Sequence, residues 1–275
     1  KEVVHKLVAE ADVLVENFKP GTIERLGFGF DAMKAIKPDL VYASISGFGQ
    51  TGPRANLPAF DGAIQAYSGM MSISGHAETG PVRSGYFSVD MSTALNAAFA
   101  ITAALLRRAN TGEGQRVDVS MLDTAIFMQS PQMTGYLVTG KAPELNGNAS
   151  PTKQPTSNVF ASSNGYVQVI AMKETQVQAL FTELGMPERY AEFNEPTVRL
   201  ARRDEVHSLI APIIAAETTE YWLETLDSIG VPVSAIQDFP AIAEEPQLAH
   251  REVFIEQAHH LYPNQSVKVV RAAHV

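Results

Sequence analysis

Covalent chemistry in this chain falls to a carboxylate, a serine or a histidine, because the sequence has no cysteine to serve as nucleophile, disulfide or thiolate ligand. Among the carboxylates, Asp90 has the most defined setting. It lies between the strand-like run Tyr86 to Val89 and a helical pattern starting near Met91, where local sequence reads it as an N-cap accepting backbone N–H bonds. Gly47-Phe48-Gly49-Gln50-Thr51-Gly52 follows a predicted strand and matches the GxGxxG fingerprint of dinucleotide sites. The context fails, since Pro53, Arg54, Asn56 and Pro58 open no helix, and a helix N-terminus is what holds a pyrophosphate. Ser46, Gly47, Phe48 and Gly49 then read as a strand-to-loop turn in which glycine permits close backbone approach. Gly112-Glu113-Gly114 lacks the Lys-Ser/Thr of a phosphate loop and reads as a helix stop. Asn17 and Phe18 read as an Asx turn and an apolar anchor before a helix at Thr22, with Arg25 on its solvated face. The seven histidines are scattered; His259-His260 is the adjacent pair, and neighbours point apart on a helix or strand, which serves a metal poorly. Trp222, Met70, Met71 and Phe99 fall at spacings of core positions.

The elements that must position these residues alternate. Helices are predicted over about Glu2 to Ala11, Thr22 to Leu26 and Asp31 to Ile36, with strands Val13 to Val15 and Leu40 to Ser46 between and after them. A short helix from about Asp61, the long helix after Asp90, a strand Gln115 to Ser120 and a helix Leu122 to Val138 follow. This alternation is that of a parallel sheet flanked by helices. From Gly140 to Ser157 the glycines, asparagines and prolines mark a domain boundary. Beyond it Val159 to Ser162 and Tyr166 to Ile170 flank Asn164-Gly165, a pair suited to the positive φ angles of a type I′ hairpin turn. Helices Glu174 to Leu184, Asp204 to Ala216 and Thr219 to Ile229 and a strand near Val231 to Ile236 complete the second part.

A balance of 21 basic against 30 acidic side chains, net −9, with pI near 5.3, argues against a broad nucleic-acid or anionic-membrane surface and leaves room for a focused basic pocket for a phosphate-bearing cofactor. The longest apolar stretch, Met91 to Leu106, is interrupted by polar residues and is shorter than the ~20 residues of a bilayer span, so a buried helix is expected. Lys1 to Ala11 is a charged amphipathic pattern and not a secretory signal, which makes the cytoplasm the expected location. The chain starts without Met and in mid-pattern, as a piece of a longer protein would.

Two segments carry a resemblance: Asp12-Val13-Leu14-Val15-Glu16-Asn17-Phe18-Lys19-Pro20-Gly21, and Arg83-Ser84-Gly85-Tyr86-Phe87-Ser88-Val89-Asp90 with its continuation through Arg107-Arg108-Ala109-Asn110-Thr111-Gly112-Glu113-Gly114-Gln115-Arg116-Val117-Asp118-Val119-Ser120. With Gly47 to Pro53, Gly147-Asn148, Asn164-Gly165 and Gly230-Val231-Pro232, the sequence resembles the family III CoA-transferases over nearly its whole length. The resemblance implies an α/β fold with a Rossmann-like large domain over residues 1–150, a smaller α+β domain over 151–245, and 246–275 as a linker returning to the large domain. It also implies an interlocked homodimer, and further segments before Lys1 and after Val275, so that part of the CoA site lies outside this sequence.

By the same resemblance Asp90 is the nucleophile. It would attack an acyl-CoA thioester to give a mixed anhydride, which CoA thiolate converts to an aspartyl-CoA thioester; nearby helix N–H groups would keep it ionised. Asn17, Phe18, Lys19, Ser46, Gly47, Phe48 and Gly49 would line the CoA site, and Arg25 would face a CoA phosphate, with the solvated helix face its equal rival. CoA or acyl-CoA enters as substrate beside a carboxylic acid; no permanent cofactor, metal, nucleic acid or membrane is implied. Ser150-Pro151-Thr152-Lys153 stands where the formyl-CoA branch has a glycine run, which counts against oxalate. The racemase branch has a proton-transferring histidine where this chain has Phe60, which cannot move a proton. A racemase-like isomerase and an inactive truncated member are the alternatives.

Overall fold

The structure, a computed structural model, describes residues 1–271. The fold is mixed α/β, in two compact units, Lys1–Asn148 and Ala149–Val275. In the first, strands Val13–Glu16, Val41–Ser46 and Gln115–Ser120 form a parallel three-stranded sheet in that order, with Val41 central between Val13 and Gln115. The central strand is covered on both faces, as a parallel strand requires. Val41 and Ala43 pack with Ala97 and Ala104 of the long helix on one side. Leu40 and Tyr42 pack with Val8 and Met33 on the other.

The long helix, Ser88–Thr111, differs from the expected buried helix. Val89, Thr93, Ala97 and Ala104 form the buried face, on helical spacing. Its large apolar residues Met91, Leu95, Phe99 and Leu106 point outward, Phe99 being 74% exposed and not a core residue. Small side chains admit the sheet closely, and the bulky ones are left on the opposite face. At 24 residues the helix is also long and apolar enough to cross a membrane by length and composition, where its sequence pattern looked too short. It ends at Gly112, whose φ of 74° is the left-handed C-cap that glycine adopts readily.

The helix expected over Leu122 to Val138 is two, Met121–Met128 and Ser130–Thr139. Pro131 in the first turn of the second cannot donate backward, and the buried Gln129 fills the break by donating to Ala125 and Ser68 carbonyls.

In the second unit, strands Ser157–Ala161, Tyr166–Ile170 and Val233–Ala235 form an antiparallel sheet. The hairpin at Asn164-Gly165 forms without the type I′ turn, since neither residue has positive φ. The pair Ala161–Tyr166 leaves Ser162, Ser163, Asn164 and Gly165 in the loop, and the Asn164 side chain accepts from Thr219 N–H at 2.8 Å. A Cβ at Gly165 would lie 3.1 Å from Thr219 Oγ1, a tight contact that glycine avoids. Trp222 is buried in this unit's core and donates to the Ile214 carbonyl. Helices Pro187–Phe193 and Pro196–Ala201, which the pattern did not predict, carry Phe193 and the buried Arg199, whose guanidinium pairs with Glu174.

The segment expected as a linker, 246–275, holds helix Pro246–His250 and an antiparallel pair Phe254–His259 and Tyr262–Val270; residues 272–275 lie outside the described residues. His259 and His260 do not point apart. His260 lies in the turn, free of strand alternation, and their rings stack at 5.2 Å.

Candidate active site at the start of the long helix

Asp90 is not the cap of its helix. Ser88 and Val89 precede it inside the helix, so no strand runs from Tyr86 to Val89, and Phe87 at the cap position makes no side-chain cap bond. The orphan N–H groups of the first turn are taken by Asp61, the first residue of helix Asp61–Tyr67. Its Oδ2 accepts Val89 N–H at 2.8 Å and Asp90 N–H at 3.0 Å. Its Oδ1 accepts from Gln65 Nε2 at 2.5 Å, and Gln65 Oε1 accepts Ser84 N–H at 3.0 Å. Asp61 is only 6% exposed, so a buried negative charge is met by the positive end of a long helix.

The consequence for Asp90 reverses the expectation that helix N–H groups hold it ionised. Those groups are spent on Asp61, and the Asp90 carboxyl is pushed above the usual carboxylate range, first by the partial enclosure around it and then by the Asp61 charge. A native state that binds this proton more readily than the unfolded chain loses stability as pH rises through the interval from the ordinary value of 3.8 to the raised one. Asp90→Asn is therefore expected to melt slightly higher than the wild type at neutral pH, by less than about 1 kcal/mol at so exposed a site. The gain should vanish below the ordinary carboxylate pKa, where both side chains are neutral; thermal melts across pH check this.

Asp90 and Asp61 open on a cleft of about 570 Å³. One wall is Asn17, Phe18, Lys19 and Pro20; another is Leu57, Pro58, Ala59 and Phe60; Ser46, Gly47, Thr93, Ala94 and Met121 help to close it. The turn after Val13–Glu16 is set by Glu16 and not by Asn17: the buried Glu16 carboxylate accepts Phe18 N–H at 2.9 Å, leaving Asn17 and Phe18 exposed at the cleft. Gly47 is irreplaceable on steric grounds, since a Cβ there would stand 2.1 Å from Ala59 Cβ, and this contact joins the Ser46-Gly47 turn to the opposite wall.

Of the residues singled out in the sequence, Asp90, Asn17, Phe18, Lys19, Ser46 and Gly47 line one cleft. Phe48 turns into the core with Ile64, Val89 and Ala125 and meets Tyr67 edge-on, and Gly49 supplies a turn with φ of 87°. Neither lines the cleft. Arg25 is exposed on its helix, donating to Thr22 Oγ1 at 2.8 Å. After Gly52 no helix begins before Asp61, which removes the dinucleotide geometry. Phe60, weighed in the sequence as the position of the racemase histidine, lies on the cleft wall, whereas Asp61, Gln65 and the wall residues Leu57, Pro58 and Ala59 were not picked out as site residues; the one local signal was the i, i+4 spacing of Asp61 and Gln65 on a helix.

A sequence profile of CoA-transferase family III matches residues 1–274. The chain belongs to that family. Among its relatives, the acetyl-CoA:oxalate CoA-transferase of Acetobacter aceti is 36% identical over 96% of this chain and 68% of its own length. A Fusarium pseudograminearum acyl-CoA transferase is 34% identical over 99% of this chain but 60% of its own length. A CAIB/BAIF family protein from Brucella suis superposes with a TM-score of 0.83 at 34% identity, covering 92% of this chain and 68% of that one. This family III chain thus spans roughly two thirds of the length of the proteins it matches.

Proposed function

We propose that the protein transfers CoA from an acyl-CoA to a free carboxylic acid, with Asp90 as the covalent nucleophile. A carboxylate oxygen of Asp90 attacks the thioester carbonyl, the C–S bond breaks, and CoA leaves as thiolate, giving a mixed anhydride. The thiolate then attacks the aspartyl carbonyl and expels the donor acid. The acceptor carboxylate repeats the exchange in reverse, forming a new acyl-CoA and restoring Asp90. What carries this reading is that Asp61 does the capping, so the Asp90 carboxylate opens on the cleft uncommitted to the helix. Asn17, Phe18, Lys19 and the Ser46-Gly47 turn would hold the thioester end of CoA.

Phe60, 77% exposed and on the cleft wall, favours transfer over α-carbon isomerisation, because no proton carrier stands there. The test is to incubate the full-length protein with acyl-CoA and then hydroxylamine. A hydroxamate on the Asp90 peptide is the expected result; deuterium entering the acyl α-carbon from heavy water without any adduct would establish the isomerase instead.

The reading extends to a Rossmann-like core around the parallel sheet and to a homodimer. Its support is the row Met91, Leu95, Phe99 and Leu106, an apolar strip left bare along the long helix. Sedimentation should show a dimer for the full-length protein, and Leu95→Glu with Phe99→Glu should weaken association by at least about tenfold, one charge at an apolar interface costing more than about 1.4 kcal/mol. A wild-type monomer would remove the dimer from the proposal.

A further inference from the structure

We propose that Gln65 is a positioning residue for Asp90: its amide locks Asp61 on one side and Ser84 on the other, and so fixes both approaches to the helix turn that carries the nucleophile. The inference rests on the transferase reading of Asp90. Gln65 is 1% exposed, and a buried amide is tolerated only when its groups are bonded. Here both ends are engaged. The Nε2 group donates to Asp61 Oδ1, a charge-assisted bond between residues one turn apart on the same helix face. With that oxygen held, the other oxygen of Asp61 is left facing Val89 and Asp90 N–H.

The carbonyl end acts on the incoming chain. Gln65 Oε1 accepts Ser84 N–H, and the Ser84 hydroxyl lies 2.9 Å from Ser88 Oγ and donates to the Tyr86 carbonyl. Residues 84–88 therefore enter the helix along a path tied to the same amide. Loss of Gln65 frees the cap and the entry strap together. A carboxylate nucleophile displaced by about 1 Å loses roughly a hundredfold in rate.

Two variants of the full-length protein test this. Gln65→Met keeps length and removes both bonds; kcat should fall roughly tenfold to a hundredfold with KM for acyl-CoA held within about twofold. Hydrogen exchange of the Val89 and Asp90 amides should quicken while the parallel sheet and the rest of the long helix stay protected. Gln65→Glu gives a sharper result. When protonated, the introduced carboxyl can still donate to Asp61 and accept from Ser84; when ionised, it sets a second negative charge against Asp61. Burial and that charge raise its pKa, so activity should approach wild type near about pH 5 and decline as pH rises, a limb absent from the wild type. A Gln65→Glu profile parallel to wild type, or a Gln65→Met enzyme with unchanged kcat and unchanged amide exchange, overturns the proposal. So does a loss of kcat that only tracks the unfolded fraction. If the wild type forms no adduct and transfers no CoA, the transferase reading falls, and the exchange data alone judge whether Gln65 fixes this turn.

Discussion

Asp90→Asn is expected to lose CoA transfer by at least about a thousandfold and to leave no hydroxylamine-sensitive adduct, because an amide oxygen is a far poorer nucleophile than a carboxylate. The fold should survive, since the Asp90 side chain holds no part of the helix start; Asp61 does that. This separates chemistry from structure at one position: circular dichroism and melting stay near wild type while turnover disappears. Asp90→Glu should fail almost as badly, because a shift of about one methylene carries the attacking oxygen beyond a geometry held to within ~1 Å. Peptide mapping after acyl-CoA and hydroxylamine treatment provides the readout. Substantial turnover in Asp90→Asn would move the nucleophile elsewhere in the cleft.

The second large effect lies at Asp61. Asp61→Ala removes the acceptor for two backbone N–H groups and for the Gln65 amide, and should cost about 2–4 kcal/mol of stability as well as most activity. Asp61→Asn distinguishes charge from geometry. It keeps one oxygen for the helix N–H groups but removes the negative charge that raises Asp90. With Asp90 as the proposed nucleophile, the acid limb of the pH–rate profile would mark its ionisation and should therefore move to lower pH. An unchanged acid limb would mean that enclosure alone raises Asp90. Denaturant melts of both variants supply the stability half of the comparison.

The place of Asp90 at the start of a long helix was readable, because the helical pattern after it is continuous in sequence. Its partner was not. Asp61 reaches Val89 across 28 positions, and no periodicity records which of two aspartates caps a given helix. The alternation of helix and strand placed the parallel sheet correctly, since each strand is a short apolar run closed by turn residues. It misjudged the outer face of the long helix for a related reason. Met91, Leu95 and Phe99 are as apolar as any core residue, yet the face with small residues is the one against the sheet. The hairpin turn failed locally, since Asn164 had a second use at the next helix.

The order in which this protein acquires its site follows from the remote cap. Until helix Asp61–Tyr67 docks, the Val89 and Asp90 N–H groups have no acceptor in Asp61, so a partly folded chain is expected to carry Asp90 on a frayed end. Closing a loop of that length costs chain entropy that only the completed contact recovers. With Asp90 as the proposed nucleophile, competence to react with thioesters would be gained only once Asp61 is buried against the helix start, and a chain lacking that contact would leave acyl-CoA untouched.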